Sequence, residues 1–170
     1  MVENKGNDYS KISPTAKITA YWKSLSDIPY SKEIADEVKA EQTAREMLGE
    51  RIEWSKYFSP SMFEVRYKSM NYGLKRKRIE NVMELASGLS PRGLEIVSKG
   101  GMYVGTDLRE MNNESSKIII DIATRDEIPL DNLHLQPENV LDKDELKNAA
   151  AYLVGERFAI CNEGLLPYFK

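Results

Sequence analysis

The sequence predicts an α/β fold in which a parallel sheet flanked by helices follows an N-terminal helical segment. Three observations point to it. Short apolar runs at 81–86, 102–106 and 157–162 are each bounded by turn residues, as buried parallel strands are. Helical stretches alternate with these runs, which implies parallel strands joined by crossovers, with helices on both faces of the sheet. Residues 11–78 carry helical spacing and no strand pattern.

Residues 1–10 are polar and read as a disordered lead. Ser13-Pro14-Thr15 then sets a cap-type residue and a helix-initiating proline ahead of Ile18, Tyr21, Trp22 and Leu25, the spacing of a short amphipathic helix. A second helix opens near Pro29 and Ser31, runs through Ile34, Ala35, Val38 and Ala40, and stops at Gly49. More helix follows through Trp54, Tyr57, Phe58, Met62, Val65 and Met70 to the breaker Gly73. Residues 11–78 thus form a helical cap, and the basic run 75–78 reads as its solvated end rather than a phosphate site.

Residues 79–170 read as an α/β core. The first strand, Asn81-Val82-Met83-Glu84-Leu85-Ala86, closes at Ser87-Gly88. Pro91 suits the first turn of a helix running through Leu94, Ile96 and Val97 to Gly100-Gly101. Met102-Tyr103-Val104-Gly105-Thr106 is the second strand, ending at Asp107. Residues 117–122 allow strand or helix, but 110–127 has few breakers and favours helix. Leu133-His134-Leu135-Gln136 alternates like a strand, 142–154 reads as a helix, and 157–162 as the last strand, giving a Rossmann-like sheet.

A chain of 170 residues, 41% hydrophobic and 30% charged, suits one soluble domain. With 24 Lys plus Arg against 27 Asp plus Glu, there is no basic excess to recruit nucleic acid or an anionic membrane. Cys161 is the only cysteine and His134 the only histidine, so no internal disulfide and no Cys/His zinc site can form, and a reducing cytoplasm is the expected compartment. No run approaches the roughly 20 apolar residues that a membrane span needs.

In an open parallel sheet the ligand lies at the carboxyl ends of the strands. There the chain reads Glu84-Leu85-Ala86-Ser87-Gly88-Leu89-Ser90-Pro91-Arg92-Gly93, a turn rich in small residues. A dinucleotide loop needs glycines at 86, 88 and 91, and Pro91 cannot stand in for the last, which allows close helix packing. An S-adenosylmethionine (SAM) loop, an acid followed by Gly-x-Gly-x-Gly, is matched by Glu84, Ala86, Gly88 and Ser90 with two small-residue replacements. Taken alone, Gly88 reads equally well as an ordinary turn glycine. Asp107 strengthens the loop reading, because it stands 19 residues after Gly88 at the end of the next strand, where a carboxylate receives ribose hydroxyls.

Ile12-Ser13-Pro14-Thr15-Ala16, Phe63-Glu64-Val65-Arg66, the stretch 84–92, the stretch 103–108 and Asn162-Glu163-Gly164-Leu165-Leu166-Pro167-Tyr168 occur together in one order. In this the chain resembles the leucine carboxyl methyltransferase family of class I SAM-dependent O-methyltransferases, from residue 12 onward and over the N-terminal two-thirds of the family's length. The resemblance implies strands 1 to 4 of the methyltransferase fold and a SAM site. It places Arg66 on the SAM carboxylate, Glu84, Ala86 and Gly88 along the methionine end, Asp107 with Leu108 at the ribose, Asn139 and Val140 at the adenine, and Glu163 near the SAM amino group. Asn139 departs from the aspartate usual there and lacks its charge.

Other readings stand beside these. Arg66 could pair with Glu64 or Glu80, and Glu163 could cap the segment from Leu165. His134 reads as a half-exposed strand residue, and Tyr21, Trp22 and Trp54 as helix packing or lid. The expected function is methyl transfer to a carboxylate or hydroxyl of a small molecule or protein, with a SAM-binding module lacking turnover as the alternative. No residue stands out as a general base. The family continues with further strands that build the substrate pocket, so the fourth strand here is expected to be an exposed edge that a homodimer would cover.

Overall fold

A computed structural model describes residues 12–153, 155 and 157–165 of the chain. Helices α1 (Ile12–Ser24), α2 (Ser31–Glu37), α3 (Ala40–Leu48), α4 (Arg51–Ser55) and α5 (Ser59–Lys77) precede the first strand, β1 (Asn81–Leu85). Then come α6 (Arg92–Ser98), β2 (Tyr103–Asp107), α7 (Arg109–Arg125), β3 (Leu133–Pro137), α8 (Lys143–Ala150) with a 3-10 turn at Ala151–Leu153, and β4 (Phe158–Asn162). The fold is α/β and Rossmann-like, with an N-terminal helical segment. The expected lead 1–10, Val154 at the end of the helix expected over 142–154, and Leu166, Pro167 and Tyr168 lie outside the described residues.

The helical segment is more broken than its spacing suggests. The helix expected from Pro29 to Gly49 is two, because Val38 caps α2 and Lys39 turns left-handed at φ 51° before α3 begins. Gly49 does end α3, at φ 54°. Gly73 does not break the next helix. It is a tolerated interior glycine, and α5 runs on to Lys77 before Arg78 closes it at φ 53°. The basic residues 75–77 fill the last turn of α5, where the helix dipole favours cations, and they face solvent apart from half-buried surroundings near Leu74. Between residues 109 and 125 the ambiguous apolar stretch is helix α7, with Ile119 and Ile122 on its buried face.

The sheet is all parallel, in the order β3-β2-β1-β4. Alternation sorts its side chains between two cores. Val82 and Tyr103 join Leu94 and Val97 of α6, Ile119 and Ile122 of α7, and Tyr21, Trp22 and Ile34 of the N-terminal helices. Met83 and Val104 face the other way, onto Ala149 of α8 and Leu153. Strands β2 and β3 lie on one side of β1 and β4 on the other, so strand order reverses between β1 and β4. Loops leaving these two strands diverge there and open a crevice at their carboxyl ends. No helix among the described residues is long and apolar enough to cross a membrane.

Candidate functional site

At that crevice lies a cavity of about 320 Å³, within the roughly 300–1,000 Å³ usual for small-molecule and cofactor sites. Its floor comes from the ends of β1, β2 and β4 and its roof from α1 and α5. Every site residue expected from the sequence is on its wall: Arg66, Glu84, Ala86, Gly88, Asp107, Leu108, Asn139, Val140 and Glu163.

The β1 loop forms one end. Both Ala86, at φ 51°, and Gly88, at φ 54°, adopt the left-handed conformation. For glycine this is free of penalty, whereas for alanine it costs about 1–2 kcal/mol, so Ala86 occupies a glycine-type position under strain. Asp107, at the end of β2, fastens the loop. Its Oδ2 accepts from the Gly88 amide at 2.7 Å and its Oδ1 from the Leu108 amide at 2.8 Å. Burial pushes the Asp107 carboxyl above its ordinary value despite these two amides, which favour the charged form. Each oxygen keeps a further lone pair with which to accept a ligand hydroxyl.

Beside this loop the wall is ionic, since Asn162 pairs in register with Leu85 and Glu163 follows it. Glu163, just past β4, has a side chain only 8% exposed. Its Oε2 accepts from Lys23 Nζ at 3.1 Å, Arg66 Nε stands 3.9 Å from its Oε1, and that Oε1 is buried without a hydrogen-bond partner. Arg66 therefore pairs toward Glu163, with its guanidinium 5.5 Å from the Phe63 ring, rather than with the helical acids; Glu64 pairs with Lys68 instead.

Glu84 lines the cavity but is committed elsewhere. Its oxygens accept from Arg92 Nε at 3.3 Å and from the Tyr103 hydroxyl at 2.7 Å. Burial and the Glu84 charge push the Tyr103 phenol well above its ordinary range, so this hydroxyl stays a donor. Glu84 is a strut between β1, β2 and α6. In the third wall segment, Asn139 Oδ1 accepts from the Leu141 amide at 3.0 Å and so shapes its own loop. Burial, then Glu145 and Asp142, raise the carboxyl of the neighbouring Glu138.

Sequence reasoning missed the α1 part of the roof. Thr15, Ala16, Thr19, Ala20 and Lys23 line the cavity from one face of α1. Their i, i+4, i+8 spacing was the available signal, small and polar residues on a helix whose other face carries Tyr21 and Trp22. Lys23 was not separable from an ordinary surface lysine, yet it is 5% exposed. Trp54, expected to pack or cover the site, is 77% exposed and does neither. His134 is half-buried on β3, its ring stacked at 4.2 Å on Tyr152, and burial lowers its pKa. Among the described residues no group of acids, cysteine or histidine is arranged to hold a metal. No protein-family model matches the chain, and no curated protein does.

Proposed function

We propose that the crevice is a SAM site and that the protein is a SAM-dependent methyltransferase acting on a carboxylate or hydroxyl acceptor, of the kind found in the leucine carboxyl methyltransferase family. One observation carries the reading. A single cavity joins a glycine turn fastened to a buried carboxylate, Gly88 with Asp107, to an ionic cluster of buried Lys23 and Glu163 with the part-exposed Arg66, in which Glu163 Oε1 lacks a hydrogen bond. The Gly88–Asp107 turn suits a ribose diol lying against bare backbone, and the ionic cluster suits the ammonium and carboxylate of an amino acid. SAM carries both.

In this reading Asp107 accepts the ribose hydroxyls, with Leu108 beside them and Asn139 and Val140 at the base. Arg66 and Lys23 meet the carboxylate, and Glu163 receives the ammonium. Bound SAM supplies an electrophilic methyl group for in-line displacement. The chain's own residues contribute orientation and exclusion of water rather than proton transfer. A carboxylate acceptor, already an anion, needs no general base. Nicotinamide dinucleotides fit less well, because Pro91 precedes α6 where their loop needs a glycine.

Calorimetric titration with SAM, S-adenosylhomocysteine and NADH tests the site, and labelled SAM with a panel of carboxylic acids tests turnover. Expected are binding of both adenosyl ligands, none of NADH, and label transferred to a carboxylate. Binding without transfer assigns a SAM-binding module instead. Binding of NADH alone, or of no adenosyl ligand, overturns the reading.

A further inference from the structure

Arg92, the first residue of α6, has a side chain fully removed from solvent. Three neighbours fix it. Its Nε donates to Glu84 at 3.3 Å, its Nη1 to Asn71 Oδ1 on α5, and its guanidinium stacks 4.3 Å from the centre of the Tyr67 ring. Tyr67 and Asn71 are in turn held by Glu95, at 2.6 and 2.8 Å. The remaining nitrogen, Nη2, is buried without a hydrogen-bond partner, 3.9 Å from Glu163 Oε2.

A buried ionised donor and a buried carboxylate oxygen on neighbouring groups, both without a hydrogen bond, are expensive to keep apart. Here Lys23 keeps them apart by holding Glu163 Oε2. Arg92 cannot swing, being anchored on three sides. Glu163 lies beyond the end of its strand, and Lys23 carries a flexible four-carbon stem, so these two are the parts free to rearrange.

We propose that Arg92 is a positioning residue for Glu163, placed to take this carboxylate over from Lys23 when a ligand bearing both an ammonium and a carboxylate enters the crevice. The ligand carboxylate draws Lys23 and Arg66 to itself. Glu163 then turns one oxygen to Arg92 Nη2 and offers the other to the ligand ammonium, which satisfies both orphaned atoms. The proposal rests on the reading of the crevice as a SAM site, and it makes the handover, rather than the nucleoside contacts, the source of selectivity for the amino-acid end.

The test compares S-adenosylhomocysteine with 5′-methylthioadenosine, which has the same nucleoside and thioether but no amino-acid end, on the full chain by calorimetry. For Arg92→Met, affinity for S-adenosylhomocysteine falls about 10- to 100-fold while that for 5′-methylthioadenosine is unchanged. Arg92→Lys, which keeps the charge without the fork, recovers part of the loss and serves alone if Arg92→Met does not fold. Equal loss for both ligands makes Arg92 plain scaffold and overturns the proposal, as does an unchanged S-adenosylhomocysteine affinity. If the unmodified protein binds neither ligand, the SAM reading fails and the handover fails with it, an outcome distinct from the loss patterns of the Arg92 variants.

Discussion

Asp107 holds the loop with two oxygens that, in the proposed reading, also receive the ligand. Removing it in Asp107→Ala strips the Gly88 and Leu108 amides of their acceptor, at about 1–3 kcal/mol of unfolding free energy, and loses ribose bonds worth roughly 2–3 kcal/mol of SAM affinity. Urea unfolding and calorimetry measure the two separately. The raised Asp107 pKa fixes the sign of a pH effect. An acid whose folded pKa is raised binds its proton more tightly in the folded state, so its contribution is fully present below the ordinary carboxylate range and fades as pH climbs through the raised value. The stability gap between the unmodified protein and Asp107→Ala should therefore be widest in acid and shrink toward neutrality. Asp107 was legible in the sequence because strand ends and their spacing are local properties. Lys23 was not, since the acceptor it holds is Glu163, 140 residues away. Arg92 stood in plain view within the loop motif, but no local pattern says that a guanidinium there is enclosed by Tyr67 and Asn71 of a different helix.

At the scale of elements, the strands and the helices joining them were legible, because apolar runs closed by turn residues are a strong local pattern. The N-terminal helices were less so. Lys39 adopts a left-handed conformation that no residue-level preference anticipates, and Gly73 sits in a helix that continues through it. The absent glycine at Pro91 has a structural sequel two residues on. A β-carbon at Gly93 would come within 2.8 Å of the Tyr103 ring and 3.2 Å of Leu133, so Gly93 is where α6 packs close against β2. Tyr103 cannot easily retreat, being 1% exposed and bound to Glu84. Gly93→Ala should destabilise the protein by about 1–3 kcal/mol through overpacking, seen as a lower urea midpoint with an unchanged slope. A midpoint at or above that of the unmodified protein would show that the ring yields.

For the molecule as a whole, β4 is an edge that pairs only with β1 among the described residues, and its Ile160 is 60% exposed. Such an edge is a template for a second strand. Antiparallel pairing of two β4 edges across a twofold axis is the expected outcome, giving a dimer with independent crevices. Sedimentation should find a concentration-dependent dimer that Ile160→Lys shifts to monomer; a monomer at every concentration would exclude edge pairing. The sheet's long-range order also gives the ion pair between Lys23 and Glu163 a meaning beyond the site. It closes a loop of 140 residues, from the first described helix to just beyond the last strand. The ionic side of the crevice is therefore complete only when α1 and the end of β4 have come together. A ligand bridging α1 to the end of β4 would act as a reversible staple across that loop, stabilising the native topology in proportion to its concentration over its dissociation constant.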